Sequence, residues 1–297
     1  MPNAPTPVRL VPGHAVLLLS ALAALAVAWN RPTSERPDWS AVSAVAFPDV
    51  AAELVARGLS DAECEALALR MNGGDPEISA RAAVLLGAAL ERVPSDSARA
   101  PRIAGHLMER LERRVAVEVR GHLGADVVAA RSLDARAALP DVADRLLALA
   151  CGDAPHPVLA VRTECAAVVL EASVGWIDVS ASNGEPPLEG MVAPEDPGAR
   201  ARRRRGAAFL LSVLRAETPD EARSPRTWER VTTLAWVKTR AAMAMTRAAA
   251  VMGEWRESGG AVSPDAGRDV EVRFRPDGSW AHQMEEADRL ERALLDG

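Results

Sequence analysis

Tyrosine is absent from this 297-residue chain, phenylalanine occurs three times, and Lys238 is the only lysine among 35 basic residues. A chain poor in aromatic side chains and rich in Ala, Leu and Arg favours helix over sheet. Unbranched side chains lose little rotamer freedom in a helix, whereas strands draw on branched and aromatic residues. Cysteine is scarce too. Cys64, Cys151 and Cys165 form no C-x-x-C pair and have no metal-ligand spacing, so they read as small core residues. In an exported body Cys151 and Cys165 are also candidates for a disulfide between adjacent helices, which would leave Cys64 unpaired.

Catalytic signatures are missing together. The chain has no G-x-S-x-G turn, no glycine-rich phosphate loop and no Cys-His proximity. His14, His106, His122, His156 and His282 are scattered singly, and none forms the H-x-x-x-H pair that puts two ligands on one helix face. The nearest approach to a site is His282 with Glu285 and Glu286, which a solvated polar helix face explains more simply. No catalytic residue, cofactor or metal is therefore expected.

What is present is apolar surface, 48% of residues, with 26% charged and a net charge of −6. That suffices for a buried core and gives no global electrostatic reason to bind nucleic acid. Between Arg9 and Arg31 there is no charged side chain, and Ala15 to Trp29 is almost wholly apolar. Arg9 ahead of the run and Ala26-Val27-Ala28 behind it match a cleavable export signal. The uncharged stretch from Leu10 to Asn30 equally approaches the roughly 20 residues of a membrane anchor. In both readings residues 1–30 keep the N-terminus cytoplasmic and deliver the body across the membrane. No Cys follows the run, so a lipoprotein anchor is not expected.

After a linker at 31–40, helix punctuation repeats. Pro48-Asp49 opens a short amphipathic segment ended by Gly58. Ser60-Asp61-Ala62-Glu63 is a capping box for a helix that stops at Asn72-Gly73-Gly74. Asp75-Pro76-Glu77 starts the next, to about Arg92, with Ile78, Ala82, Leu85, Leu86 and Leu90 on one face. Ile103, Leu107, Leu111, Val115, Val119 and Leu123 recur every four residues and suggest one long helix, with another from Asp126 to Leu139. Leu139-Pro140-Asp141-Val142 then begins a helix through Cys151, Gly152-Asp153 turns the chain, and Pro157 to Ala172 returns.

The two return helices can be laid over each other. Ile78 matches Val161, Ala82 matches Cys165, Ala83 matches Ala166 and Leu85-Leu86 matches Val168-Val169, an offset close to twice 41 residues. In these residues, from Asn72-Gly73-Gly74-Asp75-Pro76-Glu77-Ile78 through Leu85-Leu86-Gly87, the chain resembles the HEAT (armadillo-type) repeat family. Its units run about 40 to 47 residues as two antiparallel helices. Val161-Arg162 stands where that family carries its Val-Arg pair; the earlier block has Ser79 in place of the Arg. The resemblance covers about residues 41–173. It implies a mainly α fold, a HEAT-like solenoid of two to three helix pairs over 41–175, and a binding surface for another protein. Some HEAT-like proteins are lyases, which implies as an alternative an enzyme or an enzyme's accessory subunit, although no residue here carries that role.

Residues 176–198 read as a loop, with Ile177 and Val179 alternating with polar neighbours. A C-terminal region, 199–297, resumes with helices at about Ala199 to Ala216 and Thr227 to Glu257. Val270, Val272 and Phe274 alternate before an Arg275-Pro276-Asp277-Gly278 turn and suggest a strand that pairs with the Ile177 to Val179 segment. A last helix, Ala281 to Leu295, carries Met284, Leu290 and Leu294. Trp228, Trp236 and Trp255 are expected in the core.

The strongest local anomaly is Arg200 with Arg202, Arg203, Arg204 and Arg205, just after Glu195-Asp196-Pro197. Such a run is a candidate grip for phosphate, an acidic protein segment or a lipid headgroup. A charged first turn in an Arg-rich chain is the plainer account. Cations at a helix N-terminus oppose the macrodipole at a cost of up to about 1 kcal/mol. The expectation is a non-catalytic protein-binding scaffold at the cell envelope, with a polyanion-binding module at these arginines as a further alternative.

Overall fold

In a computed structural model of the chain the described residues are 56, 58–73, 75–94, 97–113, 122–137, 139–175, 196–217, 225–259, 262 and 266–295. The signal or anchor segment, the linker, the segment opened by Pro48 apart from Ala56 and Gly58, and the Ile177 to Val179 stretch lie outside them. Among the described residues there are nine α-helices. They are α1 (Asp61–Met71), α2 (Pro76–Arg92), α3 (Arg99–Glu112), α4 (His122–Ser132), α5 (Pro140–Cys151), α6 (Leu159–Ser173), α7 (Pro197–Leu214), α8 (Pro225–Glu257) and α9 (Trp280–Leu295), with a 3₁₀ turn at Asp134–Arg136.

The punctuation explains the boundaries. Ser60 Oγ accepts the Glu63 N–H at 3.3 Å and the Glu63 carboxylate accepts the Ser60 N–H, closing the capping box of α1. Asp75 Oδ1 accepts from the amides of Glu77 and Ile78 at 2.9 and 3.1 Å, and Pro76 occupies the first turn of α2. Gly58 takes φ 77°, the left-handed conformation that glycine adopts without strain.

The expected long helix from Ile103 to Leu123 is not formed. α3 ends at Glu112, and α4 begins at His122 and packs back against it. Residues 16 apart on one continuous helix would lie about 24 Å apart. Instead the Arg110 Nε–H donates to Asp126 Oδ1 at 2.6 Å. The four-residue recurrence reported the buried stripe of α3, Ile103, Leu107 and Leu111, and ran on past that helix's end; Val115 and Val119 lie outside the described residues. The following helix likewise stops at Ser132, seven residues short of Leu139, and the chain passes through the 3₁₀ turn instead.

The helices pack as α1 on α2, α3 on α4, α5 on α6 and α7 on α8, while α2, α4, α6 and α8 also touch one another in succession. α1 meets α3, α5 meets α7, and α9 lies against α7 and α8. Buried side chains form one contiguous cluster from Leu59 to Leu294. α6 is buried on nearly every side, with only Leu159 and Arg162 partly exposed. Gly87 lets α2 approach α4, since a Cβ there would sit 2.6 Å from the Ser132 Cβ.

The expected β element is not seen among the described residues. Residues 270–275 carry no strand, although their burial alternates: Val272 is half-buried and Phe274 buried, with Glu271, Arg273 and Arg275 exposed. A period of two reports an extended path with one side inward; it does not report a hydrogen-bond ladder. The turn at its end is present, with the Gly278 N–H donating to the Arg275 carbonyl at 3.0 Å. On α9 the buried face is Gln283, Glu286, Ala287, Leu290 and Leu294, which leaves Met284 half-buried at its edge. All three cysteines are free, so Cys151 and Cys165 are not bridged.

Candidate partner-binding surface and buried polar sites

The arginine run lies on the first half of α7 and does not form one patch. Successive helical residues turn by about 100°, so five guanidinia in six positions must diverge. Arg200, Arg204 and Arg205 are exposed; Arg203 is buried at 2%; the Arg202 side chain is 11% exposed and lies 3.9 Å from the Asp196 carboxylate. Asp196 also caps the helix, accepting the Ala199 N–H at 2.8 Å, so a carboxylate of the chain itself answers the helix dipole. Burial lowers the Arg203 guanidinium from its ordinary value, and the charges of Arg200, Arg256 and Arg204 lower it further. Arg256, on α8, is thus part of the same positive cluster, and its Nη2 donates to the Ala293 carbonyl at 3.3 Å. Sequence spacing could not bring Arg256 to the run from more than fifty positions away.

Two buried charge networks went unread in the sequence. Arg240 on α8 donates from Nε to Glu164 at 3.0 and 3.1 Å, and from Nη1 and Nη2 to Glu171 at 3.0 and 2.8 Å. Arg247 adds a contact to Glu171 at 3.4 Å. Both carboxylates project from α6 and are 1% exposed. Their spacing of seven, two helical turns, sets them on one face and was the signal available. Burial lowers the Arg240 guanidinium, but the two carboxylates reverse that and hold it well above its ordinary value. This bidentate arrangement ties the α7–α8 region to the block before it.

The second network joins Arg110, Asp126 and His156, exposed by 1, 6 and 2%. Besides Asp126, Arg110 donates from Nη1 to the Met71 carbonyl at 2.8 Å, at the end of α1. His156 Nδ1 accepts the Val158 N–H at 3.2 Å, which places the ring proton on Nε2, 4.0 Å from Asp126 Oδ2. A His, an Asp and an Arg together suggest proton chemistry, but groups this enclosed do not reach a substrate. They bind the ends of successive hairpins to one another.

The only lysine is fully buried. Lys238 Nζ donates to Gln283 Oε1 at 2.9 Å and lies 5.5 Å from the centroid of the Trp280 ring, and burial pulls its ammonium below the usual lysine range. Gln283 is held in turn, its Nε2 donating to the carbonyls of Pro276 and Gly278 at 3.0 and 2.9 Å.

The remaining candidates resolve into structural contacts. His282 meets the Arg273 carbonyl at 3.0 Å through Nε2, and Glu286 is paired with Arg289 at 2.8 Å, so the His282, Glu285 and Glu286 group does not converge. His106 lies 3.4 Å from Glu65. No metal-holding group of His, Cys, Asp and Glu occurs among the described residues. A recess of about 160 Å³ between Leu59, Ala89, Val93 and Pro94 is lined chiefly by apolar and backbone atoms, and its Arg99 is engaged by the Leu59 carbonyl and Asp61. Trp236 and Trp255 are half-buried against the core; Trp228 has no described side chain. No described helix is long and apolar enough to cross a membrane. Comparison with protein-family models, with curated proteins and with solved structures finds no match to this chain.

Proposed function

We propose that this chain is a HEAT-like helical-repeat scaffold that holds another protein at the cell envelope. The observation that carries the reading is the serial packing of α2, α4, α6 and α8, each also covered by the helix before it in the chain. A solenoid buries its core in this way, every repeat touching mainly its neighbours, and it leaves an extended surface for a second chain. The matched positions support it: Ala82 with Cys165, Ala83 with Ala166, and Leu85-Leu86 with Val168-Val169 are all buried to 2% exposure or less. Arg162 and Ser79, at the family's Arg position, both reach back to the preceding helix or turn, Arg162 to the Ala150 carbonyl at 2.8 Å and Ser79 to the Gly73 carbonyl at 3.3 Å. The HEAT resemblance and the export segment, not a site, point to the role, because fold alone does not fix function.

The test is crosslinking of the full chain in its own cells, followed by isolation under denaturing conditions and mass spectrometry. A defined protein partner in amounts comparable to the chain supports the scaffold. Recovery of the chain alone, across several crosslinker lengths, overturns it. The same isolate gives the mature mass: a chain beginning at Trp29 establishes cleavage, and an intact Met1 in the membrane fraction establishes an anchor.

A further inference from the structure

α7 has an outward face with two properties at once. Arg200, Arg204 and Arg205 are exposed on its first half, and none of their side chains makes a hydrogen bond or ion pair among the described residues. Arg131, Arg275 and Arg292 are likewise exposed without a side-chain partner, but they stand singly on other elements, and several other surface arginines are paired. Arg102 meets Asp61 at 2.9 Å, Arg145 meets Glu112 at 2.8 Å, and Arg215, at the other end of α7, meets both Asp288 and Glu291 at 2.5 Å. The positive charge on α7 is therefore uncompensated at one end, where Arg256 adds to it from α8, and neutralised at the other.

Between and beyond these arginines the exposed positions are Ala201, Ala208 and Ser212. They recur with the arginines at three and four residues, which sets them in one stripe along the helix. Small side chains let another backbone approach closely, and the long guanidinium arms on either side then reach past it to carboxylates. Among the described residues the exposed large apolar side chains, Leu69, Leu139, Val262 and Trp280, all lie off α7. A bilayer surface would thus gain no inserted side chain here, whereas an acidic helix would gain both close packing and charge pairing.

We infer that the outward face of α7 docks an acidic helix of a partner protein, lying along Ala201, Ala208 and Ser212 with its carboxylates on Arg200, Arg204 and Arg205. This inference rests on the scaffold reading and names the chemistry of the partner. Arg202 and Arg203 take no part in the contact: one turns toward Asp196, the other is buried.

The experiment uses the full chain and three probes: a helical peptide with Glu at every i and i+4, heparin, and vesicles of equimolar phosphatidylglycerol and phosphatidylcholine. The peptide is expected to bind, and R200A/R204A/R205A to weaken it roughly tenfold to a hundredfold, with an unchanged melting curve. A208W keeps every charge but fills the stripe; it should weaken the peptide and leave heparin retention unaltered. Peptide binding that is unaffected by either variant overturns the inference, as does stronger retention of the wild type on vesicles or heparin than on the peptide. Crosslinking in cells separates the two readings. If the triple variant captures the same protein partner as the wild type in equal yield, the α7 contact is wrong and the scaffold stands; if the wild type captures no protein, the scaffold itself falls.

Discussion

The ammonium of Lys238 and the side-chain oxygen of Gln283 meet at 2.9 Å inside the junction of α8 and α9, and both residues are buried. The pairing spans 45 positions and holds the N-terminal turn of α9, whose Trp280 ring lies 5.5 Å from the same nitrogen. A buried ammonium bonded to a neutral amide lacks the opposite charge that offsets desolvation, so its proton is held less tightly than in the unfolded chain.

Stability should therefore rise with pH in the window between the lowered folded-state pKa of Lys238 and the unfolded value of about 10.4. In that window the unfolded chain binds the proton and the folded chain does not, so unfolding takes up a proton and alkali favours the fold. Urea melts across the alkaline range should show this slope in wild type and lose it in K238M. A slope that persists unchanged in K238M removes Lys238 as its source. Q283L, which strands the ammonium, should cost about 1.5–3 kcal/mol at neutral pH.

Arg110 and Asp126 give a second test, because each is buried and each is the other's counter-charge at 2.6 Å. Removing one partner leaves an uncompensated charge in the core, which costs about 3–5 kcal/mol, whereas an apolar pair of similar volume often costs nothing. D126L should thus be strongly destabilised, and R110M/D126L should recover most of the loss. Additive losses in the double variant, measured by urea denaturation, would show that the two charges do not act as a pair.

What the sequence discloses and what it hides follow from range. Ser60 with Glu63 and Asp75 with Pro76 act within four residues, and those signals located α1 and α2 correctly. The apolar spacing of Ile103 to Leu123 is also local, but it says nothing of direction, so a chain reversal between α3 and α4 left the pattern intact. Glu164, Glu171 and Arg240 were invisible as a group because the carboxylates sit on a helix otherwise almost wholly apolar or small, and their counter-ion lies 69 positions or more away. The arginine run was legible as charge. Its division into an exposed trio, a side chain turned to Asp196 and a buried residue needed the packing of α7 against α6 and α8.

Gly87 tests the closest helix contact. Its Cβ would stand 2.6 Å from that of Ser132 on α4, well inside van der Waals contact and not relieved by turning a side chain. G87A should lower stability by about 1–3 kcal/mol through overpacking, in spite of the better helix propensity of alanine. S132G in the same background removes the obstructing atoms and should restore part of the loss. If G87A raises the melting temperature, α2 and α4 are not in the contact described.

The bidentate hold of Arg240 on Glu164 and Glu171 predicts a reversal in acid. In R240M two carboxylates remain buried on one face of α6, with Arg247 near only the second, and their charged forms lose their main counter-ion. The variant should be less stable than wild type by about 3–5 kcal/mol at neutral pH. Protonation then neutralises the stranded groups, and a carboxyl that binds its proton more tightly in the folded chain than the unfolded value of about 4.3 adds stability as pH falls. The deficit of R240M should therefore shrink on acidification from neutrality toward that value. E164Q/E171Q/R240M, which has no carboxylate to strand there and keeps only the partly exposed Arg247, a group that does not titrate in acid, should show no such recovery. Chemical denaturation at a series of pH values reads both curves, and a deficit of R240M that is constant with pH would mean that the carboxylates are already neutral or already solvated.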